Sequence, residues 1–351
     1  MANAKIREAE DHIKQAEKYL KTSMFKWNPD YDSAGDCYSR AATAYKVGGN
    51  KEKAVESLDK ACNCYKEIRT LFQAARMLDQ AVLLSRDMNK MDDVVQYAER
   101  GALLFRQDGS NETASQLLEK AAKIVEGSTP EKAIGLYEKA SETVGVEDRP
   151  REAADYLSRA ARLQVRCKMY EESVENLQKS LNIYLGIGGN NAAAGRSAAG
   201  LVMVQLMRGD HIAAMRGFDT YGAFCDGETA PAMRFVPTYH SLLSLFNTYI
   251  FRALIAAFDE EDGDAAKEVI DSKAVKNLDI DFARLAKQIK LPDSDAFDAA
   301  AAKLGAERSA VVEKEKRAAA KQRAEASSAM PPEDVVEEQK KLEESDEDDL
   351  C

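Results

Sequence analysis

The sequence predicts an all-α fold: a right-handed solenoid of tetratricopeptide-like helical hairpins, followed by a C-terminal helical bundle cap. Three observations support this prediction. Short polar or glycine-containing breaks recur about every 40 residues, and a stripe of small and large side chains repeats after each break. In addition, no segment shows the sustained β-branched alternation that is typical of strands.

The breaks separate pairs of helices. A helix is predicted after each of five breaks: Gly48-Gly49-Asn50, Met88-Asn89-Lys90, Gly127-Ser128-Thr129, Arg166-Cys167-Lys168 and Arg208-Gly209-Asp210. A partner helix with its own small residue lies upstream of each break, at Ala42, Ala81, Ala121, Ala161 and Ala199. Because one hairpin is too small to bury its own apolar face, the hairpins are expected to stack.

The stripe occupies positions i, i+4 and i+7, which lie on one face of an α-helix. Small residues there allow a neighbouring helix to approach closely. The five versions are Ala54/Leu58/Ala61, Val94/Ala98/Gly101, Ala133/Tyr137/Ala140, Ser173/Leu177/Ser180 and Ala213/Gly217/Thr220, with starts 40, 39, 40 and 40 residues apart.

The 40-residue rule fails after Tyr221, so three domains are predicted. Residues 1–221 hold the N-terminal helix and the hairpin solenoid. Residues 222–292 form a helical cap, with helices expected over 238–258, 265–272 and 281–290. Residues 293–351 form an exposed spacer rich in Ala, Lys and Glu, followed by an acidic tail.

The net charge of −11 is unevenly distributed along the chain. Residues 333–351 carry ten acids and two bases, a charge of −8, so residues 1–332 sum to only −3. The acidic balance argues against a nucleic-acid partner bound through bulk charge. An acidic tail of this kind is often an interaction segment.

No motif for catalysis, a metal or a cofactor is present. The segment 186–190 lacks the lysine of a phosphate-binding loop, and the acidic run 259–264 lacks the full pattern of a calcium loop. The six cysteines show no framework spacing, so free thiols in a reducing cytosol are expected. The charged N-terminus does not resemble a signal peptide. A non-enzymatic binding scaffold inside the cell is the resulting prediction.

A segment after the first helix is a candidate membrane-contacting loop. It holds Met24, Phe25 and Trp27, flanked by Lys21 and Lys26. Aromatic rings favour the head-group region of a bilayer, and lysines favour anionic lipid. The alternative is that these aromatic side chains fold back onto the first hairpin.

A basic stripe is predicted on the first helix of the fourth hairpin. Arg159, Arg162 and Arg166 lie at i, i+3 and i+7, on one face. Such a face suits an acidic partner. The alternative is a solvated face that is balanced by acids of the next helix: Glu171, Glu172 and Glu175.

The chain ends in a third candidate segment, in which Glu347, Asp348 and Asp349 precede Leu350. One apolar residue in an acidic run could dock in a basic groove. The alternative is a solubilising tail.

These three segments, in this order around a hairpin array, resemble the gamma form of the soluble NSF attachment proteins. The resemblance covers about residues 5–290. The stretches that carry it are residues 16–22 and 26–34, Glu131-Lys132-Ala133-Ile134-Gly135-Leu136-Tyr137-Glu138 and the terminal Leu350-Cys351.

The resemblance implies an adaptor that coats the assembled SNARE four-helix bundle and recruits the hexameric AAA+ ATPase NSF, which then takes the bundle apart. It implies that Met24, Phe25 and Trp27 belong to a membrane-attachment loop. It also implies that Arg159 faces the SNARE bundle and that Asp348, Asp349 and Leu350 engage the ATPase. A cytoplasmic, peripheral membrane location follows from the same resemblance. The competing interpretation is a generic tetratricopeptide-like scaffold that binds a peptide and has no link to an ATPase.

Overall fold

The computed structural model describes residues 2–22, 27–145, 149–187, 192–221 and 250–291, all within one compact unit, Met1–Pro292. All regular secondary structure in these residues is helical. The helices are α1 (Ala2–Leu20), α2 (Tyr31–Val47), α3 (Lys51–Glu67), α4 (Leu71–Asp87), α5 (Met91–Gln107), α6 (Asn111–Val125), α7 (Pro130–Val144), α8 (Pro150–Arg166), α9 (Tyr170–Ile187), α10 (Ala192–Met207), α11 (His211–Tyr221), α12 (250–259), α13 (Gly263–Ile270), α14 (Lys273–Lys276) and α15 (Ile280–Ala286).

The predicted all-α array of sequential helical hairpins is confirmed. Each helix from α1 to α11 packs against the next, and α5 also touches α7 two helices along. The helices α2 to α5 are 17 residues long and are joined by three-residue turns, so two helices and two turns account for the 40-residue period.

The repeating unit is in fact a single helix of about 20 residues including its turn. From α2 to α9, the fourth residue of every helix is buried, and successive fourth residues lie 19 or 20 positions apart. These residues are Ala34, Ala54, Ala74, Val94, Ala114, Ala133, Ala153 and Ser173. A small side chain at this position lets consecutive helices approach closely.

The fifth version of the stripe, Ala213/Gly217/Thr220, is wrong by one residue. Ala213 and Gly217 are only partly buried and Thr220 is exposed, whereas Ala214, Phe218 and Tyr221 are buried. The reason is spacing: α11 begins 41 residues after α9, so its fourth residue is Ala214.

The four turns between α2 and α6 share one backbone geometry. The residue in the middle of the turn has positive φ at Gly49 (83°), Arg69 (58°), Asn89 (58°) and Gly109 (86°). The next amide closes the turn on the preceding helix, as Asn50 N donates to Tyr45 O at 2.9 Å. This left-handed C-terminal motif reverses the chain within three residues.

Two apolar cores meet at α8. Ala153, Tyr156 and Ala160 belong to the core that runs back to α1, while Ala154 and Ala161 belong to a core shared with α9–α15. In that second core, α15 packs on both α8 and α10.

The helices predicted for the C-terminal region need small corrections. The helix expected over 265–272 is α13, Gly263–Ile270, and the one expected over 281–290 is α15, Ile280–Ala286; α14 was not anticipated. Of the helix expected over 238–258, only its end in α12 lies within the described residues. The predicted division into residues 1–221, 222–292 and 293–351 stays a prediction, because 222–249 and 292–351 lie outside them.

Candidate functional site

The basic stripe lies on α8, and all three arginines make ion pairs within the chain. Their side chains are 31–38% exposed. Arg159 pairs with Glu119, and Arg166 Nη1 lies 3.0 Å from Glu126 Oε1. Glu119 belongs to α6, the equivalent helix of the preceding hairpin, and Glu126 directly follows its last residue; each acid stands 40 residues before its arginine.

Acids from the C-terminal helices complete the pairing. Arg162 Nη1 lies 3.2 Å from Asp279 Oδ1, and Arg166 Nε lies 3.8 Å from Asp281 Oδ1. Arg196 of α10 also reaches Asp279, at 3.9 Å. The stripe therefore joins α6, α8, α10 and the start of α15.

Two of the three acids that the sequence suggested as partners of the stripe, Glu171 and Glu175, pair elsewhere. Glu171 lies 3.6 Å from Arg208, and Glu175 lies 3.9 Å from Lys179 on its own helix. The prediction that the arginine stripe faces an acidic partner remains a prediction.

The Arg159–Glu119 pair is partly buried. The side chain of Glu119 is only 19% exposed, and Lys123 Nζ also lies 2.7 Å from Glu119 Oε1. Burial by itself would raise the pKa of Glu119, but the hydrogen bonds from Lys123 and Arg159 hold that pKa below its ordinary value. For Arg159, burial acts to lower the pKa, and the hydrogen bond and charge of Glu119 outweigh it and raise the pKa.

Two ion pairs of the stripe, Arg159–Glu119 and Arg166–Glu126, belong to a ladder of ion pairs between successive hairpins. In each pair the acid lies on the earlier hairpin and the cation on the later one. The other members are Arg100–Asp59, Lys120–Asp79, Lys132–Asp92, Lys139–Glu99 and Arg149–Glu112. We call this set, together with Arg159–Glu119 and Arg166–Glu126, the inter-hairpin ladder.

The candidate membrane segment is only partly within the described residues. Trp27 lies between α1 and α2 and is 86% exposed, and Lys21 is exposed directly after α1. Met24, Phe25 and Lys26 lie outside the described residues.

The candidate docking tail is not covered by the structure. Glu347, Asp348, Asp349 and Leu350 lie outside the described residues, so their predicted role stays a prediction.

The described residues hold no group of three or more potential metal ligands among His, Cys, Asp and Glu. Cys62 and Cys64 are both buried, and burial raises the pKa of each thiol to about 11, which keeps them protonated and unreactive near neutral pH. Within the same part of the chain, no helix is long and apolar enough to cross a bilayer.

Two features of this surface were missed by the sequence analysis. Asp279 and Asp281 come from a distant segment, and no sequence signal pairs them with α8. The acids Glu119 and Glu126 could have been found, because they stand 40 residues before their arginines, the spacing of the repeat itself.

Comparison with known proteins identifies the family. Residues 7–227 match the family model described as soluble NSF attachment protein, SNAP. The chain is 22% identical over 290 residues to a gamma-soluble NSF attachment protein of Dictyostelium discoideum, covering 83% of this chain and 84% of that protein. It is 23% identical over 284 residues to one of Arabidopsis thaliana, covering 81% and 91%.

An alpha-soluble NSF attachment protein of Vitis vinifera is 25% identical over 281 residues, covering 75% of this chain and 87% of that protein. Among solved structures, BtubC from P. vanneervenii matches with a TM-score of 0.34 at 16% identity, covering 68% of this chain and 96% of that one. A TM-score this low says nothing further about this chain. The family match spans well over half of the sequence, and the chain therefore belongs to the soluble NSF attachment protein family, whose members are adaptors and not enzymes.

Proposed function

We propose that this protein is an adaptor that binds assembled SNARE complexes at membranes and recruits and stimulates the AAA+ ATPase NSF for their disassembly. The observation that carries the proposal is the family match over residues 7–227, which covers the hairpin array from α1 to α11. Two gamma-form relatives extend the similarity over four fifths of the chain.

In this proposal the hairpin array holds the SNARE four-helix bundle. The arginines of α8 keep about a third of their surface exposed while paired, so they can still donate hydrogen bonds to an acidic bundle. Their intramolecular acids orient the guanidinium groups, which reduces the conformational entropy that is lost on binding.

The protein acts in the cytoplasm as a peripheral membrane protein in this proposal. The exposed indole of Trp27, together with Lys21, supports a membrane contact at the end of α1. The contact would combine a shallow aromatic insertion with attraction to anionic lipid.

The acidic tail supplies the contact with the ATPase. Residues 333–351 carry a charge of −8, whereas the rest of the chain is near neutral, so a basic docking surface would select the tail. No cofactor is required by the chain itself for any of these contacts.

A pull-down with NSF, with and without assembled SNARE complex, tests the proposal. The full chain is expected to retain the ATPase only when the SNARE complex is present and to stimulate disassembly. A variant that stops after Leu342 is expected to bind the SNARE complex normally and to lose stimulation. Normal disassembly by that variant would remove the tail from the mechanism, and no NSF retention by the full chain would favour the generic peptide-binding scaffold.

Liposome flotation tests the membrane contact. Changing Phe25 and Trp27 to Ser is expected to reduce flotation on anionic vesicles, because the apolar anchor is lost. Changing Leu103 and Leu185, two other exposed apolar residues, to Ser is the matched control. Equal flotation of both variants and the unmodified chain would refute the membrane contact.

A further inference from the structure

A groove opens between α7 and α9, above α8, and it is not used by any contact in the proposed function. Its volume is about 820 Å³. Ile134 and Leu157 form its buried floor, and Met169 and Ile183 are partly buried at its sides. We call it the α7/α9 groove. Its lining is apolar at the base, so an occupant with apolar side chains gains free energy there.

Acidic side chains surround this apolar base. Lys179 is the one basic residue that lines the groove, so the lining has a formal charge of −4. The acids are Glu131, Glu138, Glu142, Glu172 and Glu175. This surface repels anionic lipid, nucleic acid and an acidic helical bundle, and it attracts cations.

One of these acids is held in place by buried amides. Glu138 Oε1 accepts hydrogen bonds from Gln164 Nε2 at 3.1 Å and from Asn176 Nδ2 at 2.8 Å. Asn176 also donates to Gln164 Oε1 at 3.0 Å, and both amide side chains are buried. The carboxylate is therefore fixed at the groove before any partner arrives, which lowers the entropy lost when a cation binds it.

Gly135, in the middle of α7, independently indicates that the groove leaves room for a partner. A Cβ added to Gly135 would meet nothing within 4 Å, although the residue lines the groove. By contrast, a Cβ on Gly101 would lie 2.8 Å from Leu117, and one on Gly200 would lie 2.5 Å from Phe282. Glycine destabilises a helix interior relative to alanine. At Gly101 and Gly200, close packing within the chain explains why a glycine is present. At Gly135 no such packing exists, and the space is open to the backbone of a partner.

We propose that the α7/α9 groove binds an amphipathic helix of a partner protein, with apolar side chains one turn apart and Lys or Arg on both flanks. The stretch of α7 from Glu131 to Glu142 rises about 16 Å, which matches about three turns of a bound helix. Apolar side chains at i, i+4 and i+7 reach the base, the flanking cations meet the glutamates, and the helix backbone passes over Gly135. The lining of this groove includes none of the residues that the proposed function assigns to the SNARE, NSF and membrane contacts.

Binding of a defined peptide to the full-length protein tests the proposal. The probe is an 18-residue peptide of Leu and Lys, with the leucines on one helical face; a peptide of equal composition with the leucines dispersed is the control. We expect the amphipathic peptide to bind, measured by fluorescence anisotropy, and to lose affinity as NaCl rises. Equal binding of the dispersed peptide would overturn the proposal, because only bulk charge would then be recognised.

A groove-filling variant distinguishes this site from the acidic tail. Gly135→Leu fills open space, so the far-UV circular dichroism and melting temperature are expected to be kept, while peptide affinity falls at least tenfold. Gly186→Leu is the matched control, because Gly186 lies in α9, also faces open space and does not line the groove. Unchanged affinity in Gly135→Leu would overturn the proposal and assign the binding to other acids such as those of residues 333–351.

A charge-reversal pair tests the flanks. The double variant Glu142→Lys with Glu175→Lys is expected to lower peptide affinity about tenfold or more. The control, Glu52→Lys with Glu67→Lys, makes the same change in net charge at exposed positions of α3, and it is expected to change peptide affinity less than twofold. Equal losses in the two double variants would contradict the site. A stable dimer that excludes the peptide, seen by sedimentation, would also contradict it and make a second copy the occupant.

Discussion

Arg159, Arg162 and Arg166 show how a single side chain can serve the fold and a surface together. Each is paired with an acid of the same chain, and each keeps about a third of its surface exposed. Substituting such a residue changes the stability of the chain and the charge offered to a partner at the same time. Binding measurements on these positions therefore need a stability measurement beside them.

The Arg159–Glu119 pair gives a prediction for stability. Arg159→Glu places two carboxylates together, and we expect the free energy of unfolding at pH 7 to fall by about 1–2 kcal/mol. The swapped variant, Arg159→Glu with Glu119→Arg, is expected to recover most of this loss. Urea denaturation provides the measurement, and a swapped variant no more stable than Arg159→Glu would disprove the pairing.

The same pair predicts a pH dependence. The folded-state pKa of Glu119 is lowered by its hydrogen bonds to Lys123 and Arg159, although burial opposes this. A lowered carboxyl pKa stabilises the fold above the unfolded-state pKa and loses that effect as the pH falls through the folded-state pKa. The difference in stability between the unmodified chain and Glu119→Gln should therefore shrink on acidification below the ordinary pKa of a glutamate. A stability difference that stays constant on acidification would argue against a lowered pKa of Glu119.

Backbone conformation at the turns gives a second prediction for single residues. Arg69 has a φ of 58°, where a side chain is strained and glycine is not. We expect Arg69→Gly to raise the free energy of unfolding by about 0.5–1 kcal/mol, and Gly49→Ala, at a φ of 83°, to lower it by a similar amount. Thermal denaturation of both variants checks the opposite signs, and a loss of stability in both would count against the explanation.

The helices repeat more regularly than the hairpins. The turn residues did not reveal the shorter period, because the position with positive φ is glycine in some turns, as at Gly49 and Gly109, and another residue in others, as at Arg69 and Asn89. The 20-residue period became visible through burial of the fourth helix residue, which is Ala in most helices but Val in α5 and Ser in α9. Side-chain chemistry varies there, and only the small size is constant.

The register of α11 shows the limit of reading a repeat from sequence. Ala213, Gly217 and Thr220 fit the stripe in the sequence, but the buried set on α11 starts at Ala214 and continues with the larger Phe218 and Tyr221. Two adjacent alanines leave the choice open, and the spacing of the preceding helices set the true register. The partners of α8 in the C-terminal helices were likewise beyond sequence reasoning, since they depend on how distant segments pack.

The contact between α10 and α15 gives a prediction for helix packing. A Cβ on Gly200 would lie 2.5 Å from the ring of Phe282, which is itself buried. We expect Gly200→Ala to lower the free energy of unfolding by about 1–3 kcal/mol, because the ring must move within a packed core.

Gly135→Ala is the matched control for this substitution. It replaces a helix-interior glycine that has no neighbour near its Cβ, so it is expected to raise stability by up to about 1 kcal/mol. Urea denaturation measures both. Equal effects of the two substitutions would show that helix propensity, and not the Phe282 contact, sets the outcome.

The described residues form an array in which each helix from α1 to α11 contacts its neighbours along the chain, with two cores that meet at α8. The stability of such an array is roughly the sum of its units and their interfaces. Helices in the middle are supported on both sides, and those near an end on one side only. The sequence predicted this architecture because its evidence is periodic, and a periodic signal survives errors at single positions.

Hydrogen exchange followed by mass spectrometry tests this description. We expect amides of α4–α8 to exchange most slowly and those of α1 and α13–α15 to exchange faster, because opening at an end breaks fewer interfaces. Raising NaCl screens the exposed ion pairs of the inter-hairpin ladder, so protection of the central helices should fall modestly. Uniform protection across all helices would show a single cooperative unit instead.

The direction of the inter-hairpin ladder has a consequence for how this protein could change in length. Every rung joins an acid on one hairpin to a cation about 40 residues later, so each internal hairpin presents cations backward and acids forward. A duplicated hairpin would meet complementary charges on both sides without any other substitution. The C-terminal helices reverse the rule, since Asp279 and Asp281 bring acids back to the arginines of α8. Gene duplication can therefore extend the array internally without losing the charge pairing between successive hairpins.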